Sequence, residues 1–110
     1  MLLPPNTAIA KEKLTKYLLV FLPKDDKSQF LQKGGYTLEN WQQLEIDLRS
    51  QVLNQPAKFV EETIYGSKYR IDATLKGVNG IEIEVTTIWM LTDQQAKFVT
   101  LVPNQSGNRE

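Results

Sequence analysis

At 110 residues, with 13 basic and 13 acidic side chains, the chain fits one domain and exerts no global electrostatic pull on nucleic acid or membrane. It contains neither Cys nor His, which excludes disulfides, thiolate metal sites and every Ser-His or Cys-His mechanism, and removes the commonest general base. Met1-Leu2-Leu3-Pro4-Pro5 is too short for a signal h-region, and no apolar stretch approaches the ~20 residues of a membrane span. The expected setting is therefore a reducing cytoplasm, with no metal, no cofactor and no membrane partner.

The first half reads as helical. Leu14, Tyr17, Leu18 and Phe21 recur at i, i+3, i+4 and i+7, which predicts an amphipathic helix from Ala10 to Leu19. Pro23 disfavours any continuation. Asp26 and Gln29 resemble a capping box for a short helix over Lys27–Lys33, with Gly34 as its left-handed exit. Thr37 is a good N-cap for a third helix, with Tyr36 and Trp41 at the hydrophobic-staple positions. Trp41, Leu44, Leu48 and Val52 form its core stripe, and Pro56 closes it.

After Pro56 the apolar period changes to two. Strands are expected over Lys58–Tyr65, Lys68–Lys76, Ile81–Leu91 and Lys97–Val102. Parity decides the second turn. A two-residue Asn79-Gly80 loop would set Leu75 beside Glu84 and scramble both faces. A three-residue loop, Val78-Asn79-Gly80 with Gly80 left-handed, pairs Gly77 with Ile81, Leu75 with Ile83, Ala73 with Val85 and Lys76 with Glu82. The same argument favours an odd loop, Thr92 to Ala96, before the last strand and puts Val99 beside Trp89. The fold class is thus α+β: two to three N-terminal helices on one face of a four-stranded antiparallel meander, order 1-2-3-4. One domain spans 1–103, and 104–110 is expected to fray.

The other sheet face is the candidate site. Parity gathers Lys68, Arg70, Asp72, Thr86 and Thr100 there, beside Ile88, Met90, Phe98 and Val102. Lys68 and Arg70, in Tyr65-Gly66-Ser67-Lys68-Tyr69-Arg70, read either as phosphate-binding cations flanked by tyrosines or as part of an ordinary hairpin. A pocket without His can still cleave RNA, because cations stabilise phosphorane charge and Tyr, Lys or Glu can move protons. Four large apolar residues on the same face read instead as an interface.

The ordered series Lys13-Leu14-Thr15-x-Tyr17-Leu18-Leu19, Lys27-x-x-Phe30, the Trp41–Leu44 helix, Tyr65-Gly66-x-Lys68-Tyr69-x-Ile71-Asp72, Thr87-Ile88-Trp89 and Val99-Thr100-x-x-Pro103 resembles a small bacterial domain family of unknown function. That family is distantly similar to the barnase–EndoU–colicin–RelE group of ribonuclease folds. The resemblance covers residues 9–103 and implies a toxin-like nuclease, or an inactive relative, encoded beside a small partner. It maps candidate roles onto Lys27, Tyr65, Lys68, Asp72, Thr87 and Thr100.

Two readings stay open at this point. In one, the domain is a metal-independent endoribonuclease in which Lys68 and Arg70 hold phosphate, Tyr65 or Asp72 transfers protons and Thr100 orients substrate, with Lys27, Thr86 and Thr87 binding RNA. In the other it is a non-catalytic module that binds a small cognate protein or a second copy of itself through Ile88, Met90 and Phe98.

Overall fold

The computed structural model describes residues 1–24, 26–93 and 95–104. Helix α1 (Lys11–Lys13) runs on into a π turn over Leu14–Leu18, and α2 spans Ser28–Gln32. Helix α3 (Trp41–Asp47) is led by a 3₁₀ turn, Leu38–Asn40, and followed by a second π turn, Leu48–Val52. Strands β1 (Lys58–Thr63), β2 (Gly66–Lys76), β3 (Glu82–Leu91) and β4 (Ala96–Pro103) then form one antiparallel sheet in the order β1-β2-β3-β4. The architecture expected from period and parity is the one observed. No helix among the described residues is long and apolar enough to cross a membrane.

The helices cover one sheet face. Leu14, Leu18, Leu31, Leu44, Leu48 and Val52 meet Ile71, Leu75, Val85, Trp89 and Leu101 in a single core, all fully buried. Thr37 and Asn40 cap α3 reciprocally, the Thr37 N–H donating to Asn40 Oδ1 at 2.8 Å, so Asn fills the position that Glu or Gln usually takes. Gln51 ties the end of this helical stretch to β2, accepting from the Lys76 N–H at 2.7 Å and donating to its carbonyl at 3.1 Å. Gly34 and Gly77 let two backbones touch, because a Cβ on Gly77 would collide with the Gly34 carbonyl.

Register in the β2–β3 hairpin follows the three-residue loop. Gly80 is left-handed at φ 86°, the Gly77 N–H donates to Ile81 O at 2.8 Å, and Lys76, Leu75 and Ala73 face Glu82, Ile83 and Val85. Four local expectations are corrected. The left-handed residue after α2 is Gly35, at φ 85°, not Gly34. Phe21 lies past the end of the π turn and is 69 % exposed, so it leaves the apolar stripe. Trp41 is only half-buried, with Lys11 Nζ 5.1 Å above its ring. In β4 a bulge opposite Ile88 and Trp89 makes Val99 the extra residue, so Phe98 rather than Val99 faces Trp89 and the connection is four residues long.

Residues 1–9 strap the fold together. The Ala57 N–H donates to the Met1 carbonyl at 2.6 Å. Ala8 adds a short parallel bridge to β4, donating to Ala96 O at 2.9 Å and accepting from Phe98 N at 2.8 Å. Of the expected tail, residues 105–110 lie outside the described residues; Asn104 still donates to Glu84 O at 3.0 Å.

The most demanding polar contact in the core is Tyr36. Its ring is fully buried, and its hydroxyl donates to Asp47 Oδ2 at 2.5 Å beside the Lys76 carbonyl at 3.2 Å. Burial, then the hydrogen bond to Asp47 and the charge of that carboxylate, push the phenol well above its ordinary range. A raised folded-state value contributes stability that is complete below the unfolded value of ~10 and is lost as pH climbs beyond it. Tyr36→Phe leaves a buried carboxylate short of a donor, at a cost of ~1–3 kcal/mol near neutral pH. Melting curves should show that deficit at pH 7 and a shrinking gap above about pH 10; a gap that does not change with pH would refute the assignment.

Candidate functional site

Two backbone irregularities meet at the β4 edge. In the π turn after α1 the Leu19 N–H reaches back five residues to Leu14 O, at 3.0 Å, while Thr15 Oγ1 donates to Lys11 O at 3.1 Å. The widened turn keeps Leu14 and Leu18 on the core and leaves Tyr17 half-buried beside the sheet. Opposite it, the Val99 bulge returns Thr100 to the face away from the helices, in register with Ile88. Such π turns and bulges recur where a side chain has to be re-aimed. Between them lies a cleft of about 580 Å³ lined by Ala10, Glu12, Lys13, Lys16, Tyr17, Val99 and Thr100.

Lys27 closes this cluster from the start of α2. Its ammonium donates to Tyr17 Oη at 2.8 Å and stands 5.0 Å from the ring centre, and Thr100 Oγ1 lies 3.4 Å from the same oxygen. Asp26 fixes the segment that carries it. Its Oδ1 accepts from Leu22 N at 3.0 Å and Ser28 Oγ at 2.8 Å, and its Oδ2 from Gln29 N at 3.3 Å. The expected Asp cap therefore forms, and it sets where Lys27 emerges. Chemically the cluster offers a phenol whose oxygen is held by an ammonium, with Lys13 and Lys16 on the rim of the cleft.

A second group sits on the open face. Arg70 Nε donates to both oxygens of Asp72, at 2.9 and 3.1 Å, and Thr86 Oγ1 donates to Asp72 Oδ1 at 2.7 Å. Partial burial alone would raise the Asp72 carboxyl. The hydrogen bonds from Thr86 and Arg70 and the charges of Arg70 and Lys58 outweigh it and hold the group below the usual carboxylate range. Lys68 is ion-paired with Glu61 at 3.1 Å.

The structure thus splits the expected site. It brings Lys27 and Thr100 together, and separately Arg70, Asp72 and Thr86. Tyr65 stands apart at the β1–β2 hairpin, 72 % exposed, across the sheet from Thr100. Thr87 is a correction: it is fully buried, donates to Ile71 O at 3.0 Å and accepts from Trp89 Nε1 at 2.7 Å, so it cannot touch substrate. Phe98 is a second, packed edge-on against Trp89 with ring centres 5.2 Å apart, on the core face rather than the open one. Met90 does lie on the open face but is only 8 % exposed, leaving Ile88 as the one partly accessible residue of the expected apolar trio.

Two site residues went unrecognised in the sequence. Tyr17 was absorbed into the apolar helical stripe, where its i, i+3 spacing put it; its hydroxyl and the nearby lysines were the available signal. Lys58 was hidden because a bulge between Phe59 and Glu61 sets the face it occupies, opposite Arg70. A larger groove, about 730 Å³, lies against the start of β3; its lining is mostly apolar, and its charged residues are Asp26, Glu82 and Glu84 against Lys33. Among the described residues no three His, Cys, Asp or Glu side chains converge in a metal-like group.

A family model described as a domain of unknown function (DUF6883) matches residues 5–105. No curated protein and no solved structure matches the chain.

The Arg70–Asp72–Thr86 group makes a modest contribution to stability, because 44 % of the Arg70 side chain and 33 % of the Asp72 side chain stay in solvent. Asp72→Asn should cost up to ~1 kcal/mol at pH 7. A depressed carboxyl contributes above its unfolded value of ~3.9, and that contribution is lost as pH falls through the lower folded value. Denaturant unfolding of both proteins should show the gap at pH 7 and its progressive closure as pH falls below the unfolded value of ~3.9. Persistence of the gap in acid would mean that the charge is not its source.

Proposed function

The chain belongs to the family described as a domain of unknown function (DUF6883), and for this member we propose a toxin-like, metal-independent endoribonuclease acting at the α1–β4 cleft. The observation that carries the reading is the Lys27–Tyr17–Thr100 cluster: an ammonium 2.8 Å from a phenol oxygen, at a cleft with two further lysines on its wall. A phenol next to an ammonium suits phosphoryl transfer, where charge develops on non-bridging and departing oxygens. The distant resemblance to the barnase–EndoU–colicin–RelE group agrees with that chemistry.

In this reading the ribose 2′ oxygen attacks the adjacent phosphorus and its proton leaves to solvent. Tyr17 gives its phenolic proton to the departing 5′ oxygen, and the phenolate that remains is held by Lys27 and by Thr100 beside it. The products are a 2′,3′-cyclic phosphate and a 5′-hydroxyl end. Lys13 and Lys16 supply electrostatic attraction for the chain, and Lys27 carries the charge nearest the reacting oxygens. Tyr17 thus takes the proton-transfer role that the sequence offered to Tyr65 or Asp72, because it stands beside Thr100 and Lys27 and they do not.

The purified domain should cleave single-stranded RNA in the presence of a metal chelator and leave those two ends, detectable by mass spectrometry. Tyr17→Phe should lower the rate about 10²–10⁴-fold, as expected for loss of a general acid. Lys27→Ala should lower it about 10²–10³-fold through loss of a preorganised charge. Melting temperatures establish that the variants fold. A wild-type protein that leaves RNA intact, or a Tyr17→Phe protein as fast as wild type, would sink the proposal.

A further inference from the structure

Across the sheet from the cleft, two cations meet around Arg70 on the open face. Lys58 and Arg70 are direct cross-strand partners, an arrangement that ordinarily destabilises an antiparallel pair. One carboxylate, Asp72, serves both. Lys68 is different, since Glu61 neutralises it at 3.1 Å.

The geometry of Arg70 is more telling than its charge. A structural arginine–carboxylate bridge commonly uses the forked end of the guanidinium. Here Asp72 grips Nε alone, with both oxygens, and Thr86 anchors Asp72 in turn. The two terminal amino groups of Arg70 make no hydrogen bond among the described residues, nor does the Lys58 ammonium. The fork is therefore oriented without being used. A planar pair of donors held this way matches the two oxygens of a phosphate. The same row of the sheet runs Lys58, Arg70, Ile88, Thr100. Half-buried Ile88 lies between the fork and the cleft, and two strand spacings, about 10 Å, separate Arg70 from Thr100.

We propose that Lys58 and Arg70 form a phosphate-binding subsite, held in place by Asp72 and Thr86, for a single-stranded RNA that crosses the open face into the α1–β4 cleft. The inference deepens the proposed function and rests on it for the identity of the ligand. It makes Asp72 and Thr86 positioning residues, and it gives Ile88 the role of an apolar floor beneath the sugar or base between two phosphates.

The test is equilibrium binding of a fluorescent single-stranded oligonucleotide with 2′-O-methyl riboses, which cannot be cleaved by 2′ attack, over a range of salt concentrations. Arg70→Gln and Lys58→Gln should each weaken binding and lower the slope of log affinity against log salt by about 0.7, the single-strand value for one lost phosphate contact. Arg70→Lys should weaken binding with the slope retained, because charge survives and the fork does not. Lys24→Gln, on an exposed loop, should change neither. Equal affinities and slopes for Arg70→Gln, Lys58→Gln and wild type would overturn the subsite, as would a wild-type protein that does not bind the oligonucleotide. The two proposals can fail separately. If the subsite variants bind normally while Tyr17→Phe abolishes cleavage, the subsite falls and the nuclease stands. If they lose affinity while wild type leaves RNA intact, the face binds RNA and the nuclease reading falls.

Discussion

Trp89 has to lose all contact with water while its indole N–H finds a partner inside the protein. Thr87, two residues earlier on the same face of β3, accepts that hydrogen bond at 2.7 Å and donates its own to the Ile71 carbonyl of β2. A flat aromatic surface then remains to be covered from β4, and Phe98 covers it edge-on at 5.2 Å. Fitting Phe98 there while keeping Leu101 in the core asks β4 for three steps where regular pairing across Trp89 to Thr87 has two. The bulge at Val99 absorbs the difference. Thr100 reaches the open face, and so comes within range of Tyr17, because of a packing requirement on the opposite side of the sheet.

That chain of causes also explains what could be read without coordinates. The β2–β3 register was legible because Leu75, Ile83, Ala73 and Val85 are small or aliphatic and alternate with charged residues, so one loop length satisfies both faces and the other satisfies neither. The helical cover followed from the unpaired apolar face. β4 defeated the same reasoning: Lys97 to Val102 contains no charge after its first residue, so alternation cannot distinguish a bulged strand from a regular one. Only the space beside Trp89 that Phe98 fills decides, and that is a property of three strands together. Thr87 misled in a complementary way, as a hydroxyl on the core face whose partners are a backbone carbonyl and an indole.

A formal charge of zero conceals an uneven distribution. Lys13, Lys16 and Lys27 gather around one cleft, and Lys58 and Arg70 share one carboxylate on the neighbouring face. Glu82, Glu84 and Asp26 collect instead around the groove at the start of β3. Within the ~8 Å over which exposed charges act at physiological salt, a ligand meets these neighbourhoods and not the total. Composition alone therefore understates what one face of the sheet can attract.

The bulge also sets how the strand tolerates insertions and deletions. Removing Phe98 or Leu101 itself would take a side chain out of the core, whereas losing one residue from the bulge between them restores the two-step spacing of regular pairing. Removing Val99 leaves Phe98 opposite Trp89, Thr100 opposite Ile88 and Leu101 opposite Thr87, the pairings already present. Val99 is thus the residue whose loss the core would accept with Thr100 still on the open face, and straightening the edge there would pull Thr100 from Tyr17. A deletion variant that melts like the intact protein but has lost the cleft would show that Val99 serves the shape of the edge and not the stability of the core.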